Sequence, residues 1–306
     1  MDRLKFVRGE ENEGEKNREY SSRIRLWMGR HDDKEKLPPS GDKNDDYDIR
    51  LTPGGRKHAK EQSPLTEIED VQQSVSFGSG RVRARETAAL HMVGKQPEIT
   101  GDENFEELEA KINESLKVGT KLGIDDRLDF YIDLNSEYGQ KALKPFKEGR
   151  FFDFIINESD KLANELGDKQ STTYSRSAKN GAEIVAKYLK IAKPLDKLVN
   201  DKEKDYAPDL NRFFASHQAG TPESFLAKVI EETKGVEERD KFVKSLDNKG
   251  FDFSEGFYID IITDFQGNTT LHITYKKEKD GEKNFEFDEN VPINIIDSIL
   301  GVEKEI

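Results

Sequence analysis

Three short segments of the 306-residue chain carry side chains suited to a phosphate dianion: Arg30-His31, Ser79 with Arg81 and Arg83, and Ser216-His217. An imidazole can attack phosphorus as a nucleophile, guanidinium groups can clamp the equatorial oxygens, and a second imidazole can donate to them. The chain has only 5 His, and two of them fall in these segments. Each segment lies where an apolar run gives way to a loop. In open α/β sheets ligands collect outside the carboxyl ends of the strands, so segments far apart in sequence can meet at one pocket. Taken singly, each residue has a plainer reading. His31 would be a loop histidine, Arg81, Arg83 and Arg85 a solvated basic helix face, and His217 a capping residue below the next helix.

The elements that must position these groups follow from the apolar pattern. Residues 24–28, Ile-Arg-Leu-Trp-Met, read as a strand feeding a loop, and residues 33–48 as a polar surface loop. Thr52-Pro53 reads as an N-cap with proline at the first helical position, opening a helix to about residue 61. Residues 71–77 predict a second strand, 78–80 a loop, and 81–92 a helix. Helices are expected over 105–116, 146–166 and 174–199, the last with the clearest 3.6-residue period, and an extended segment over 128–134. Residues 211–217 predict a core strand reaching a loop, and Thr221-Pro222 caps the helix that follows. Residues 257–263 and 269–275 flank Phe265-Gln266-Gly267-Asn268 as a C-terminal β-hairpin, and 293–300 closes the chain as a helix. The alternation predicts an α/β fold, a three-layer α/β/α sandwich with a mostly parallel central sheet. It is expected as one domain over 23–306, with a helical insertion at about 95–205 and a charged N-terminal extension over 1–22.

Composition narrows the function. Apolar residues make up 33% and charged residues 36%, but 18 Phe and 9 Tyr supply core material, so a disordered chain is excluded. No stretch approaches the roughly 18 apolar residues of a membrane span, and the first 22 residues lack the apolar core of a signal peptide, so a cytoplasmic protein without membrane association is expected. The absence of cysteine removes disulfides, thiolate metal sites and cysteine nucleophiles. A net charge of −13 argues against nucleic-acid binding, so phosphate recognition must be local. Asp32-Asp33 and the acidic run around Asp46 lack the ligand spacing and glycine of a calcium loop, and no nucleotide-binding glycine motif is present; no metal and no cofactor are expected.

The segments, in order, resemble the histidine phosphatase superfamily, which includes the phosphoglycerate mutases. Its Arg-His-Gly strand end is similar to Ile24-Arg25-Leu26-Trp27-Met28-Gly29-Arg30-His31-Asp32, with Asp32 in place of glycine. Its Leu-Thr-x-x-Gly helix start is similar to Leu51-Thr52-Pro53-Gly54-Gly55. Its Ser-x-x-x-Arg-Ala-x-x-Thr-Ala segment is similar to residues 79–88, and its late Ser/Thr-His strand end to Ala215-Ser216-His217. A second Arg-Gly segment, Phe6-Val7-Arg8-Gly9-Glu10, has no correctly spaced Leu-Thr-x-x-Gly after it and is set aside. The resemblance implies that His31 takes the phosphoryl group as a phosphohistidine and that Arg30, Arg83 and His217 hold the phosphate. A general acid is implied from the middle of the chain, where Glu137 and Asp129 both match loosely.

These expectations amount to a metal-independent phosphate monoester hydrolase acting on a small phosphorylated substrate, with phosphomutase action as a variant. The alternative is a catalytically weak or inactive scaffold that binds a phosphorylated ligand or protein partner, since Asp32 departs from the pattern. Asp32 is expected to turn outward and pair with a base such as Lys34. His58 and His91 are expected to be structural or solvated, and His272 a surface residue.

Overall fold

The computed structural model describes residues 18–36, 45–63, 74–93, 98–115, 123–204, 206–279 and 281–302. Its first elements are β1 (Ser22–Arg30), α1 (Asp45–Asp48), α2 (Pro53–Glu61), β2 (Val75–Gly78), α3 (Val82–Val93), α4 (Phe105–Ser115) and β3 (Gly123–Ile124). A 3₁₀ turn at Asp126–Leu128 leads to α5 (Glu137–Lys147), α6 (Phe151–Asn157), α7 (Ser159–Leu166) and α8 (Tyr174–Val199). Then come β4 (Asp209–Ser216), α9 (Thr221–Lys234), α10 (Val236–Ser245), β5 (Gly256–Thr263), β6 (Thr269–Lys279), β7 (Glu282–Asn290) and α11 (Ile293–Leu300).

β1 is central because both its faces are apolar. Leu26 and Met28 pack to one side and Trp27 to the other, and its neighbour β4 repeats this with Phe214 on the first side and Phe213 and Ala215 on the second. A strand buried on both faces shows a continuous apolar run rather than an alternation, as residues 24–28 do. α8, α9 and α11 pack over the Leu26 face, and α2, α3 and α4 over the Trp27 face, giving helices on both sides of the sheet.

The sheet order is β3-β2-β4-β1-β5-β6-β7. Pairings β3–β2, β2–β4 and β4–β1 are parallel; β1–β5, β5–β6 and β6–β7 are antiparallel. The expected mostly parallel sheet is therefore corrected to one that is half antiparallel. Parallel neighbours need a long crossover, which the helices after β1 and β2 provide, whereas the short links after β5 and β6 allow only hairpins. The β5–β6 hairpin turns at Gly267, whose φ of 82° favours glycine. β7 was hidden by its charge, since only Phe285 and Phe287 of that strand are buried.

Local signals place several elements as read. The Thr52 hydroxyl accepts the Gly55 N–H at 2.9 Å, with Pro53 at the first helical turn of α2. α8 and α11 match their expected spans, and α9 starts at Thr221 as expected. The helix expected over 146–166 is broken instead, because Gly149, at φ 71°, turns the chain after α5. The segment expected to be extended, 128–134, leaves the 3₁₀ turn as irregular chain outside the sheet, and α1, β3 and α10 correspond to no predicted element. Residues 1–17 of the expected N-terminal extension lie outside the described residues, as do Leu116 and residues 71–73 of the second predicted strand. Among the described residues no helix is long and apolar enough to cross a membrane.

Candidate active site

β1 and β4 end together, with Arg30 opposite Ser216 in the parallel register. The next residues, His31 and His217, therefore emerge at one edge, and the His31 N–H donates to the Ser216 carbonyl at 2.9 Å. β2 ends beside them, where the Ser79 N–H donates to Ala215 at 3.2 Å. A side chain on Gly78 would collide with the Arg85 backbone, so this glycine lets α3 start directly above the strand ends. The first turn of α3 then delivers Arg83, fully buried, between the two imidazoles. The rings of His31 and His217 meet edge to face with centroids 5.1 Å apart. Arg83 Nε donates to His31 Nε2 at 3.3 Å, and Arg83 Nη2 donates to His217 Nε2 at 3.0 Å.

These contacts fix which nitrogen of His31 carries its proton. His31 Nδ1 donates to the Asp32 carbonyl at 2.7 Å, leaving the lone pair on Nε2, the atom facing Arg83. Burial first, and then the Arg83 guanidinium, push the His31 imidazole well below its ordinary value of 6.5. Desolvation and the neighbouring His31, Arg81 and Arg83 do the same to His217. Both shifts favour the neutral ring, which is the nucleophilic form of imidazole.

A carboxylate already engages the cations. Asp46 of α1 accepts from Arg81 Nε at 2.8 Å, Arg83 Nη2 at 3.1 Å and Lys34 Nζ at 3.2 Å, and its carbonyl accepts from Arg83 Nη1 at 2.6 Å. Burial alone would raise its carboxyl, but the Arg81 hydrogen bond and the charges of Arg83 and Lys34 more than offset this and hold it far below the usual carboxylate range. Of the five N–H groups of Arg83, four are thereby directed at His31, His217 and Asp46. A phosphate that grips Arg83 through the N–H groups now facing Asp46 must displace it from them.

Arg30 lies on the other flank. Its Nη1 donates to the Phe251 carbonyl at 2.7 Å, its guanidinium covers the Phe253 ring at 4.4 Å, and its buried Nε has no hydrogen-bond partner among the described residues. Glu223 ties this flank to His217. Its fully buried carboxylate accepts from the N–H groups of Ala219 at 2.9 Å, Gly220 at 3.2 Å and Phe251 at 3.2 Å. It thus holds the loop after His217 against the loop whose carbonyl receives Arg30. Burial raises its carboxyl to about 7 despite those three donors.

The structure brings His31, Arg83 and His217 together and sets Arg30 beside them. It separates the two carboxylates considered for the acid. Asp129 follows the 3₁₀ turn and is bonded to Arg81 and, at 3.3 Å, to the Tyr47 hydroxyl, so it joins the cation cluster. Glu137 is exposed at the start of α5 and pairs with Lys141 at 2.9 Å. Asp32 corrects its expectation. It is 1% exposed and accepts from His58 Nδ1 at 2.7 Å, from the Ser254 hydroxyl and from the Asp33 N–H, while Lys34 goes to Asp46. A buried carboxylate must be paired, and these three donors supply what water would have. Lys34 and Asp46 join the candidate site without any spacing that predicts them, Glu223 joins it as well, and Arg81, expected on a solvated face, instead pairs with Asp46 and Asp129. For Glu223, the Thr-Pro-Glu helix start carried a signal, because an acidic third residue can reach back to the N-cap amides. Among the described residues no cluster of imidazoles and carboxylates is arranged to hold a metal ion.

No family model and no curated protein matches the chain. Among solved structures it is similar to mycobacterial hydrolase 1 at 13% identity and TM-score 0.40, covering 89% of this chain and 98% of that one. It is also similar to a mycobacterial glucosyl-3-phosphoglycerate phosphatase (12% identity, TM-score 0.37, covering 82% and 96%). A third is the phytase of Hafnia alvei (10% identity, TM-score 0.38, covering 92% and 96%).

Proposed function

We propose that the chain is a phosphate monoester hydrolase of the histidine phosphatase type. His31 Nε2 attacks phosphorus in line, and Arg30, Arg83 and His217 stabilise the equatorial oxygens. Asp129, which lies in the cation cluster as Glu137 does not, is the candidate for protonating the leaving oxygen once Arg81 turns from it to the phosphate, and water then cleaves the phosphohistidine. Guanidinium and imidazole groups carry the charge stabilisation, so the reaction runs without a metal. The observation that supports this most is the meeting of two imidazoles across one buried arginine, 5.1 Å apart by ring centroids, at the ends of parallel strands. The His31 tautomer also favours it, since the Asp32 carbonyl leaves the reactive lone pair on Nε2.

The test is phosphate release from aryl and alkyl phosphates in the presence of a chelator, with trapping of a radiolabelled intermediate. Label that is acid-labile and alkali-stable, and absent from His31→Ala, is expected; label retained in that variant would move the nucleophile elsewhere. A second reading, a protein that binds a phosphorylated ligand without turning it over, is favoured by one observation, the occupation of Arg83 by Asp46. Saturable phosphate binding without release from any ester would establish it instead.

A further inference from the structure

Among the described residues few aromatic rings are exposed, and half of those connect to one cluster. Among the described residues they are Tyr47, Tyr131, Phe146, Tyr206, Phe253 and Phe265. Three of the six connect to the imidazole–guanidinium cluster. The Tyr47 ring lies 4.8 Å from the Arg81 guanidinium, with its hydroxyl on Asp129. Phe253 lies 4.4 Å from that of Arg30. Phe146, 63% exposed, ends a run of ring contacts that starts at the site: His217 to Phe130 at 6.0 Å, Phe130 to Phe151 at 5.8 Å, and Phe151 to Phe146 at 5.7 Å. Exposed apolar rings that lead up to a candidate site offer contact surface to the apolar part of a ligand held there.

Resting on the hydrolase reading, we propose that the phosphate ester taken here is that of an aromatic alcohol, whose ring packs on the Phe130–Phe151–Phe146 wall and against Phe253. Flat rings pack offset or edge to face on aromatic side chains, whereas a polyol would leave these faces covered by hydroxyls that no apolar wall can pair. The chemistry agrees. The His31 Nε2–phosphorus bond forms as the phosphorus–oxygen bond to the aryl group breaks, and the electron pair leaves on a phenolate-like oxygen. A phenol has a pKa near 10, so its oxygen departs with less help from an acid than an alkyl alcohol requires. That suits a site in which Asp129 is already bonded to Arg81 and Glu137 to Lys141. Water then attacks the phosphohistidine, forming an oxygen–phosphorus bond as the nitrogen–phosphorus bond breaks, and its proton is released with phosphate.

The test compares kcat/KM for 2-naphthyl phosphate with that for glycerol 2-phosphate, in the full chain and in Phe146→Ala and Phe253→Ala. The ratio between variants is free of the intrinsic reactivity of the two esters. Each substitution should lower the ratio about tenfold, the scale of one lost apolar contact in a specificity pocket, and Phe265→Ala, in the β5–β6 hairpin, should leave it unchanged. Ratios within twofold of the parent in both variants would overturn the proposal. If neither ester is hydrolysed, the hydrolase reading fails, and competition for binding, read from naphthyl fluorescence, decides this one. Preference for the naphthyl ester that is lost in Phe146→Ala supports it, and equal binding overturns it.

Discussion

His91 and His31 are buried to nearly the same degree, at 1% and 4% exposure, on elements that pack against each other, yet their surroundings differ in kind. His91 stacks on Trp27 with centroids 4.0 Å apart, and neither of its ring nitrogens has a hydrogen-bond partner among the described residues. His31 has both nitrogens engaged, one by a carbonyl and one by Arg83, with a second imidazole, three further cations and two carboxylates close by. Burial depresses both imidazoles, that of His91 to about 3. A perturbed imidazole therefore does not by itself mark a site. Convergent polar groups from several elements do, because only they can bind a charged ligand after its water is stripped away.

Four substitutions would break or sharpen that contrast. Arg83→Lys keeps the charge but loses the planar fork that bridges the two rings, so kcat/KM for a phosphate ester should fall by about a thousandfold. A loss of less than tenfold would mean that the bridge is incidental. Glu223→Gln leaves an amide facing backbone donors, so the His217 loop should shift and activity fall by about ten- to a hundredfold. It should also change stability with pH. A carboxyl raised to about 7 from 4.5 makes the folded chain lose about 1.4 kcal/mol per unit as pH rises between those values. Urea titrations of the glutamine variant should lack this slope.

Asp46→Asn removes the charge that competes for Lys34, Arg81 and Arg83, so phosphate should bind about tenfold more tightly by calorimetry, an effect that must weaken with salt. Unchanged affinity would show that the ligand does not need the place of Asp46. His91→Leu is the smallest on activity, expected within twofold of the parent, since nothing in the site touches that ring. It should, however, improve tolerance to acid. With His91 held to about 3 against an ordinary 6.5, the folded chain loses about 1.4 kcal/mol for each unit as pH falls through that window, and leucine has no proton to take up. A large loss of turnover in this variant would erase the distinction between the two imidazoles.

The sequence by itself determined the residues proposed to carry the chemistry and the strand ends on which they sit. The apolar run before Arg30-His31 and the run before Ser216-His217 each require a strand buried on both faces, and Thr52-Pro53 and Thr221-Pro222 place helix starts through bonds made within one turn. Such features depend on neighbours a few residues away, so they are legible in order along the chain. Only the tertiary structure decided the pairing of charges. Asp32 finds His58 and Ser254, Lys34 and Arg81 find Asp46, and Asp129 rather than Glu137 lies beside the cations, all across separations that local spacing does not encode. With 36% of residues charged, every one of these groups had many possible partners in sequence. The sheet brings together one set, and burial then enforces it, because a charge removed from water must keep whichever partner the fold has placed within reach.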